Sequence, residues 1–240
     1  QPCRQIRQFA AAKVPEHMAG HPFARSHRPS GSPLRSANTD TQSQIVSANR
    51  LRDRPQPVVP PVPAAVVHAG QPATGRYAGC LDKVDWQGLS GAYARSGLWK
   101  RLHHKRWHYV GIGHAQCFIG LAMVDVGWTN TAFVYVFDRL NRTLLVDATQ
   151  DGLPGLTAQL SDRPLDGATS WFRFAGMDLR LENSAPNTLV VHARVGSKLG
   201  LEAELILPLG SECLTAIGPI GDGGCAHATV KSSALQTRGT

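Results

Sequence analysis

The fold is decided by residues 98–138, which read LWKRLHHKRWHYVGIGHAQCFIGLAMVDVGWTNTAFVYVFD. A cluster of cations, histidines and aromatic residues runs directly into two long apolar segments, 116–126 and 131–137. In both segments, apolar side chains fall on the two opposite faces of an extended strand, which is typical of strands that are covered on both sides. This stretch therefore predicts β-sheet.

Working outward from it, further short segments show the two-residue alternation of a strand. They are 106–112, 143–148, 170–174, 177–182, 188–195 and 199–207. Residues 138–143, which include Asn141, and the pair Ala175-Gly176 predict tight turns between neighbours. Eight short strands with few helical windows indicate an all-β, antiparallel protein. The meander order favours a closed lipocalin-like barrel or a strongly curled sheet, because closure removes exposed strand edges, and a flat two-sheet sandwich is the alternative.

The chain divides by composition into a basic tail, 1–78, and a β-rich domain, 79–240. Residues 1–72 hold a net charge of +6 and residues 73–240 a net charge of +2. The tail has no sustained period, and its segment PQPVVPPVPAAVV (55–67) favours polyproline II. It buries too little apolar area to offset the entropy of ordering, so it is predicted to be disordered, with an organelle transit peptide as the alternative. A short helix is expected within 82–96, a flexible turn at 218–224 and a last strand at 228–235.

Composition excludes several classes of protein. The chain has five cysteines, an odd number, and no CxxC pair. Neither a disulfide framework nor a zinc ribbon is therefore predicted. A reducing, cytoplasmic location is expected. No apolar run reaches the roughly 18 residues of a transmembrane helix. The positive charge belongs mostly to the tail rather than to a folded face, which argues against nucleic acid as a partner. The glycines of GPIGDGG (218–224) do not open a helix after a strand, so no cofactor is predicted.

The cluster of basic residues before the first strand raises the question of a metal site. It comprises His103, His104, Lys105, Arg106 and His108, with His114 nearby. Neighbouring cations and the lack of an acidic ligand before Asp125 favour a solvated basic patch at the mouth of the barrel, and no metal is predicted. Alternation puts Arg106 and His108 on one face and the aromatic pair Trp107 and Tyr109 on the other, where core packing is expected.

Three carboxylates, Asp125, Asp138 and Asp147, stand at or near strand ends. A carboxyl group at the end of an apolar strand is a candidate general acid when burial raises its pKa. The alternative is a side chain that faces water or accepts turn hydrogen bonds.

The segments KRWHYVGI (105–112) and FIGLAMVDVGWTNTAFVYVFD (118–138) resemble the bacterial domain of unknown function 2804 family. Gly97-Leu98-Trp99 and Thr229-Val230-Lys231 fit two further elements of that family. The resemblance spans roughly 79–240 and implies a lipocalin-like β architecture of two packed halves, of which this chain holds the first. It implies no catalytic residue. The chain starts at Gln1 and stops at Thr240, and we expect a truncated chain.

The function predicted on these grounds is binding of an apolar or amphipathic small molecule inside the barrel. Its lining is predicted to comprise Trp107, Tyr109, Phe133, Tyr135 and Trp171, with Arg106 and His108 near a polar contact. One alternative is an enzyme that uses acid catalysis on an isoprenoid or lipid, with Asp125, Asp147 and His108 as candidates. Another is a fragment without independent activity, whose interior is packed solid.

Overall fold

The computed structural model describes residues 58–206, 213–221, 224–233 and 235–240. Residues 59–240 form one compact unit. The predicted tail up to residue 57, the end of the predicted strand at Leu207 and residues 222–223 of the predicted turn lie outside the described residues.

The described part of the chain contains strands, one α-helix and a 3₁₀ turn at Gly91–Tyr93. The helix is α1 (Gly97–His103). The strands are β1 (Val67–His68), β2 (Gln71–Pro72), β3 (Gly75–Ala78), β4 (Arg106–Gly113), β5 (Cys117–Asp125), β6 (Asn130–Asp138), β7 (Thr143–Gly152), β8 (Ala158–Gln159), β9 (Thr169–Phe174), β10 (Met177–Ala185), β11 (Thr188–Val195), β12 (Leu199–Ile206), β13 (Cys213–Ile220), β14 (Cys225–Ser232) and β15 (Gln236–Gly239).

These strands form four hydrogen-bonded sheets. One has four strands in the order β4-β5-β6-β7, and another has six in the order β15-β12-β11-β10-β9-β8. A three-stranded sheet, β14-β13-β3, and the hairpin β1-β2 complete the set. All named strands pair antiparallel, which confirms the predicted all-β, antiparallel class. The described strands do not join into one closed barrel.

The main core lies between the inner faces of the two larger sheets. The four-stranded sheet contributes Leu121, Met123, Ala132 and Val134, and the six-stranded sheet contributes buried residues of β9 to β12 that include Phe172, Leu179 and Val191. Phe172, Leu179 and Val191 are 0% exposed. The alternation predicted for 177–182 is confirmed, since Met177, Leu179 and Leu181 are the buried residues of that segment. Burial of these apolar side chains is the main free-energy gain of the fold.

The folded part begins earlier than the predicted boundary at residue 79. Strands β1 to β3 lie within the segment assigned to the tail, and Val66 is 0% exposed. β3 pairs with β13, and the backbone of Pro60 to Val62 hydrogen-bonds to Ala78. An extended proline-rich segment suits this edge position, because proline has no backbone N–H that would need a hydrogen-bond acceptor. Val66 packs with Leu81 and Ile217 in a second, smaller core.

Strand β13 is an element that the sequence pattern missed. Gly218, Pro219 and Gly221 suggested a turn, yet Gly218 to Ile220 continue the pairing of β13 with β14. Proline is tolerated there because β3 pairs only with Leu214 to Ile217, so Pro219 has a strand on one side alone.

The window 82–96, where a short helix was expected, holds the 3₁₀ turn Gly91–Tyr93, and the α-helix follows directly after this window over Gly97–His103. The Ser96 side chain caps it by accepting a hydrogen bond from the Trp99 backbone N–H, and cationic side chains occupy its last turn. Within the described ranges, no helix is long and apolar enough to span a membrane.

Candidate functional site

The outer face of the four-stranded sheet carries a layer of aromatic side chains, here called the aromatic face. It is made of Trp107, Tyr109, Phe118, Phe133 and Tyr135. The register places Tyr109 opposite Ala122, which in turn faces Phe133. Phe118 and Phe133 each stack on Tyr135, with ring centroids 6.0 and 6.4 Å apart respectively. These side chains share one side of the sheet because alternate residues of a strand point to the same face.

Two glycines of adjacent strands make room for these rings. Gly111 and Gly120 are direct partners in the β4–β5 register. A Cβ atom at Gly120 would lie 2.3 Å from the ring of Tyr135, so the aromatic ring covers the bare backbone at this position. The aromatic layer thus packs on the sheet like a partial second layer, and Ala122 beneath it is only 3% exposed.

The layer is nevertheless open to water along β4. Trp107 is 39% exposed and Tyr109 is 42% exposed. The Tyr109 and Tyr135 hydroxyls are hydrogen-bonded at 3.1 Å. Partial burial, followed by this bond to Tyr135, raises the pKa of Tyr109 above its usual range, so the Tyr109 phenol stays a neutral hydrogen-bonding group on an apolar surface.

Polar side chains flank the aromatic face along β7. Asp147 pairs with Tyr135, Thr149 with Phe133 and Asp151 with Thr131. Asp147, Thr149 and Asp151 are exposed. An aromatic surface with hydrogen-bonding groups along one edge suits a ligand that is partly apolar and partly polar.

The inner face of the same sheet ends in an ion-pair cluster around Arg106. The guanidinium Nη2 donates to Asp125 Oδ2 at 2.9 Å, and Nη1 donates to Asp162 Oδ1 at 3.2 Å and to the Leu160 carbonyl at 3.3 Å. The other Asp125 oxygen accepts from the Gly127 N–H at 2.8 Å. Arg106 therefore ties the first residue of β4 and the last residue of β5 to the loop between β8 and β9.

Two histidines adjoin this cluster. His108 is two residues along β4 and hydrogen-bonds the backbone of Ser161, while its Nδ1 is buried without a partner. Burial, and next the Arg106 charge, lower the pKa of both His104 and His108. The site thus holds neutral imidazoles beside a guanidinium that is neutralised by two carboxylates. Such an arrangement is typical of a structural contact that holds the β8–β9 loop against the sheet, rather than of a proton-transfer site.

The outer face of the six-stranded sheet has the opposite character, and it is here called the charged face. It includes Arg173, Asp178, Arg180, His192, Glu202, Glu204 and Arg238. Ion pairs join Arg173 and Arg180 to Asp178, with the nearest Arg173 contact at 2.9 Å. The His192 Nδ1 lies 3.7 Å from a Glu202 carboxylate oxygen. Its hollows are open to solvent, and one is lined by Asp178, Arg180, His192 and Glu202.

The structure brings together only part of the predicted site. Arg106, His108 and Asp125 meet on the inner side, and Trp107, Tyr109, Phe133 and Tyr135 meet on the outer side. Trp171 lies elsewhere, opposite Arg180 on the charged face.

The predicted interior position of the aromatic lining is wrong. Phe172, Met123 and Ala132 fill the space between the sheets instead. Core packing of Trp107 and Tyr109 is also wrong, because the four-stranded sheet turns their side of β4 outward. Whether these side chains bind a ligand stays a prediction.

The three carboxylates predicted as acids have different environments. Both oxygens of Asp125 are engaged, and Asp147 is exposed on the outer face. Asp138 accepts from the N–H groups of Leu140 and Asn141 in the predicted hairpin turn, and these bonds lower its pKa. Asp138 therefore has the turn role that was its alternative. In the part of the chain that the structure describes, no group of three or more His, Cys, Asp or Glu side chains could hold a metal ion.

Two features escaped the sequence reasoning. Asp162 completes the Arg106 cluster from a position 56 residues away in the chain. Cys80 contacts Cys213, far away in the sequence. No local pattern signals either contact, because both depend on how the loops return to the sheets.

Comparison with known proteins adds one finding. A family model described as Domain of unknown function (DUF2804) matches residues 64–240. The match covers well over half of the chain, so the chain belongs to that family, and the resemblance at residues 105–112 and 118–138 is confirmed. The lipocalin-like superfamily and the bacterial origin stay predictions. No curated protein and no solved structure matches the chain.

Proposed function

We propose that this member of the DUF2804 family binds an amphipathic small molecule on its aromatic face. The observation that carries the proposal is the partial exposure of Trp107 and Tyr109, at 39% and 42%, beside the stacked rings of Phe118, Phe133 and Tyr135. Large apolar side chains exposed side by side mark a binding surface more often than single ones do.

The energetics support a ligand that covers this surface. An aromatic side chain removes a large apolar area from water when it is covered, at about 25 cal/mol per Å². The hydroxyls of Tyr109 and Tyr135 and the carboxylates of Asp147 and Asp151 offer hydrogen bonds at its edge. An acyl or isoprenoid chain with a hydroxyl or cationic head group has the matching chemistry.

We place this ligand on the outer face rather than inside a lipocalin-like barrel. The side chains between the two larger sheets are tightly buried, with Met123, Ala132, Val134 and Phe172 each 0% exposed. An interior ligand would have to displace them. The outer face requires no such rearrangement.

Acid catalysis by Asp125 has less support. Its carboxylate already accepts from Arg106 and from the Gly127 N–H, so no oxygen is left to approach a substrate without breaking an ion pair. Asp147 is exposed on the outer face rather than enclosed with a substrate.

The test is a titration of the full chain with a fluorescent long-chain alkylamine, whose cationic head group complements the carboxylates of Asp147 and Asp151. Trp107→Ala and Tyr109→Ala each remove a partly exposed ring, so the fold is expected to survive, and the affinity is expected to fall about tenfold, the size of one central aromatic contact. Organic extraction of the purified protein followed by mass spectrometry gives an independent readout of bound lipid.

The matched control is Trp171→Ala, which removes the same kind of ring from the charged face. Its affinity for the probe should equal that of the wild-type chain. Equal affinities for all four proteins, or no binding of the probe together with an extract free of lipid, would overturn the proposal. Circular dichroism of each variant verifies that the strands persist.

A further inference from the structure

A pair of cysteines meets where the N-terminal strands join the three-stranded sheet. Cys80 follows β3 by two residues, and Cys213 is the first residue of β13. The two strands pair with Ala78 opposite Leu214. Immediately beyond that pair, the Gly79 N–H donates to the Cys213 carbonyl at 2.6 Å. The Thr215 hydroxyl donates to the Gly79 carbonyl at 2.8 Å.

This backbone clamp brings the two thiols close enough for a side-chain hydrogen bond between them. Cys213 is 4% exposed, whereas Cys80 is half-buried at the surface. A disulfide needs Cα atoms about 4.4–6.8 Å apart. Cys80 directly follows Gly79, whose N–H bonds to the Cys213 carbonyl, so the backbone at Cys80 runs beside that at Cys213.

The two sulfurs differ in reactivity. The hydrogen bond from Cys80 is the largest influence on Cys213 and lowers its pKa to about 7, with a further contribution from the Ser232 hydroxyl. That same bond and burial raise the pKa of Cys80, and the carboxylates of Asp82 and Asp166 act in the same direction. Cys213 would therefore carry the thiolate, and Cys80 would be the thiol that resolves it.

We propose that Cys80 and Cys213 are a redox-active pair that closes to a disulfide in response to a peroxide. The Cys213 thiolate attacks one peroxide oxygen, the O–O bond breaks, and hydroxide leaves, so that Cys213 becomes a sulfenic acid. The Cys80 sulfur then attacks the Cys213 sulfur, the S–O bond breaks, and the leaving oxygen takes the Cys80 proton. In sum, two thiols and one hydrogen peroxide give one disulfide and two waters.

Closure has a structural consequence. A bond between residues 80 and 213 encloses strands β4 to β12 in one covalent loop. Such a bond restricts the unfolded chain and stabilises the fold, more so for a long loop. The expected result is a rise in Tm of about 5–10 °C on oxidation.

The test is oxidation of the full chain by hydrogen peroxide, followed by alkylation of remaining thiols and peptide mapping without reductant. We expect a linked peptide that contains Cys80 and Cys213, its loss on treatment with dithiothreitol, and the accompanying shift in Tm. Cys80→Ser and Cys213→Ser should each abolish the linked peptide, while Cys117→Ser and Cys225→Ser should retain it.

Cys80→Ser is the decisive variant because its site is partly exposed, so folding is expected even if the buried Cys213→Ser fails to fold. In that variant Cys213 should stop at the sulfenic acid, which dimedone traps. A linked peptide of another cysteine pair, or no link after peroxide has oxidised the protein elsewhere, would overturn the proposal. These readouts do not involve the aromatic face, so they are independent of the alkylamine titration.

Discussion

The aromatic face and the charged face are the outer surfaces of two sheets that share one core. Each sheet buries an alternating set of apolar residues against the other, so their inner faces are alike. Outside, one presents Trp107, Tyr109 and Tyr135, whereas the other presents crossed ion pairs around Asp178. The shared core involves only the inner faces of the two sheets. The outer faces are therefore free to differ in the kinds of side chain that they carry.

The two outer faces differ in how favourably they interact with water, and this difference indicates which of them gains more by binding a partner. Charged side chains on an exposed sheet are well hydrated, and their ion pairs add little to stability. Partly exposed aromatic rings leave apolar area in contact with water, and covering it is favourable. The aromatic face is thus the surface that has free energy to gain from a partner, and the charged face is the natural control for it.

The shared core underlies the comparison and has the largest expected effect. Phe172→Ala removes a ring that is 0% exposed between the sheets, and the free energy of unfolding should fall by about 3–5 kcal/mol. Urea denaturation followed by circular dichroism and by tryptophan fluorescence measures it. The two probes should give one transition, because the two sheets share one core. Trp107 and Trp171 lie on different sheets, so two separate transitions would show that the sheets unfold independently.

Paired glycine substitutions on the two outer faces sharpen the comparison. Gly120→Ala places a Cβ 2.3 Å from the Tyr135 ring, which must then shift, and we expect a loss of about 1–3 kcal/mol in the free energy of unfolding. Gly200→Ala lies on β12 opposite Arg194 with nothing within 4 Å of the new Cβ, and we expect a gain of about 0.4–1 kcal/mol. Chemical denaturation of both variants gives the two signs, and equal effects would mean that the aromatic layer is not packed.

The hydrogen bond within the aromatic face has a smaller expected effect. Tyr109→Phe removes its bond to Tyr135, at a cost of about 1 kcal/mol near neutral pH. Because the pKa of Tyr109 is raised in the folded state, the unfolded chain ionises first as the pH rises above 10.0, and stability is lost there. The Phe variant should lose less stability than the wild-type chain between neutral pH and that range, as thermal unfolding across pH will show. An identical pH dependence would count against the raised pKa of Tyr109.

The smallest effect is expected on the charged face. Arg173→Gln removes the partner of Asp178 at a side chain that is 58% exposed, and the free energy of unfolding should change by less than about 0.5 kcal/mol. Added salt should reduce even this difference, since it screens exposed charges. Thermal unfolding at low and high salt measures it, and a cost comparable to that of Gly120→Ala would remove the distinction between the two faces.

Much of the local structure was predictable. The strands from β4 to β12 with clear alternation, such as 188–195, were located within a few residues, and so was the Ala175-Gly176 turn. β13 was not located, because its proline and glycines are typical of a turn. Only the pairing of the strands shows that Pro219 has a neighbouring strand on one side alone, where a proline is tolerated. Of the candidate site, the sharing of faces by Arg106 with His108 and by Trp107 with Tyr109 was predicted correctly. Which of those faces is buried was not.

The amino-acid sequence by itself determined the extended backbone and the two-sided grouping of side chains, because alternation with a period of two is a property of each strand alone. Only the tertiary structure decided which side of β4 to β6 meets the other sheet, since both sides of β5 and β6 are apolar and either could form a core. It also decided that Asp162 reaches Arg106 and that Cys80 meets Cys213. These contacts join distant parts of the chain, and their energy exists only when the sheets have packed.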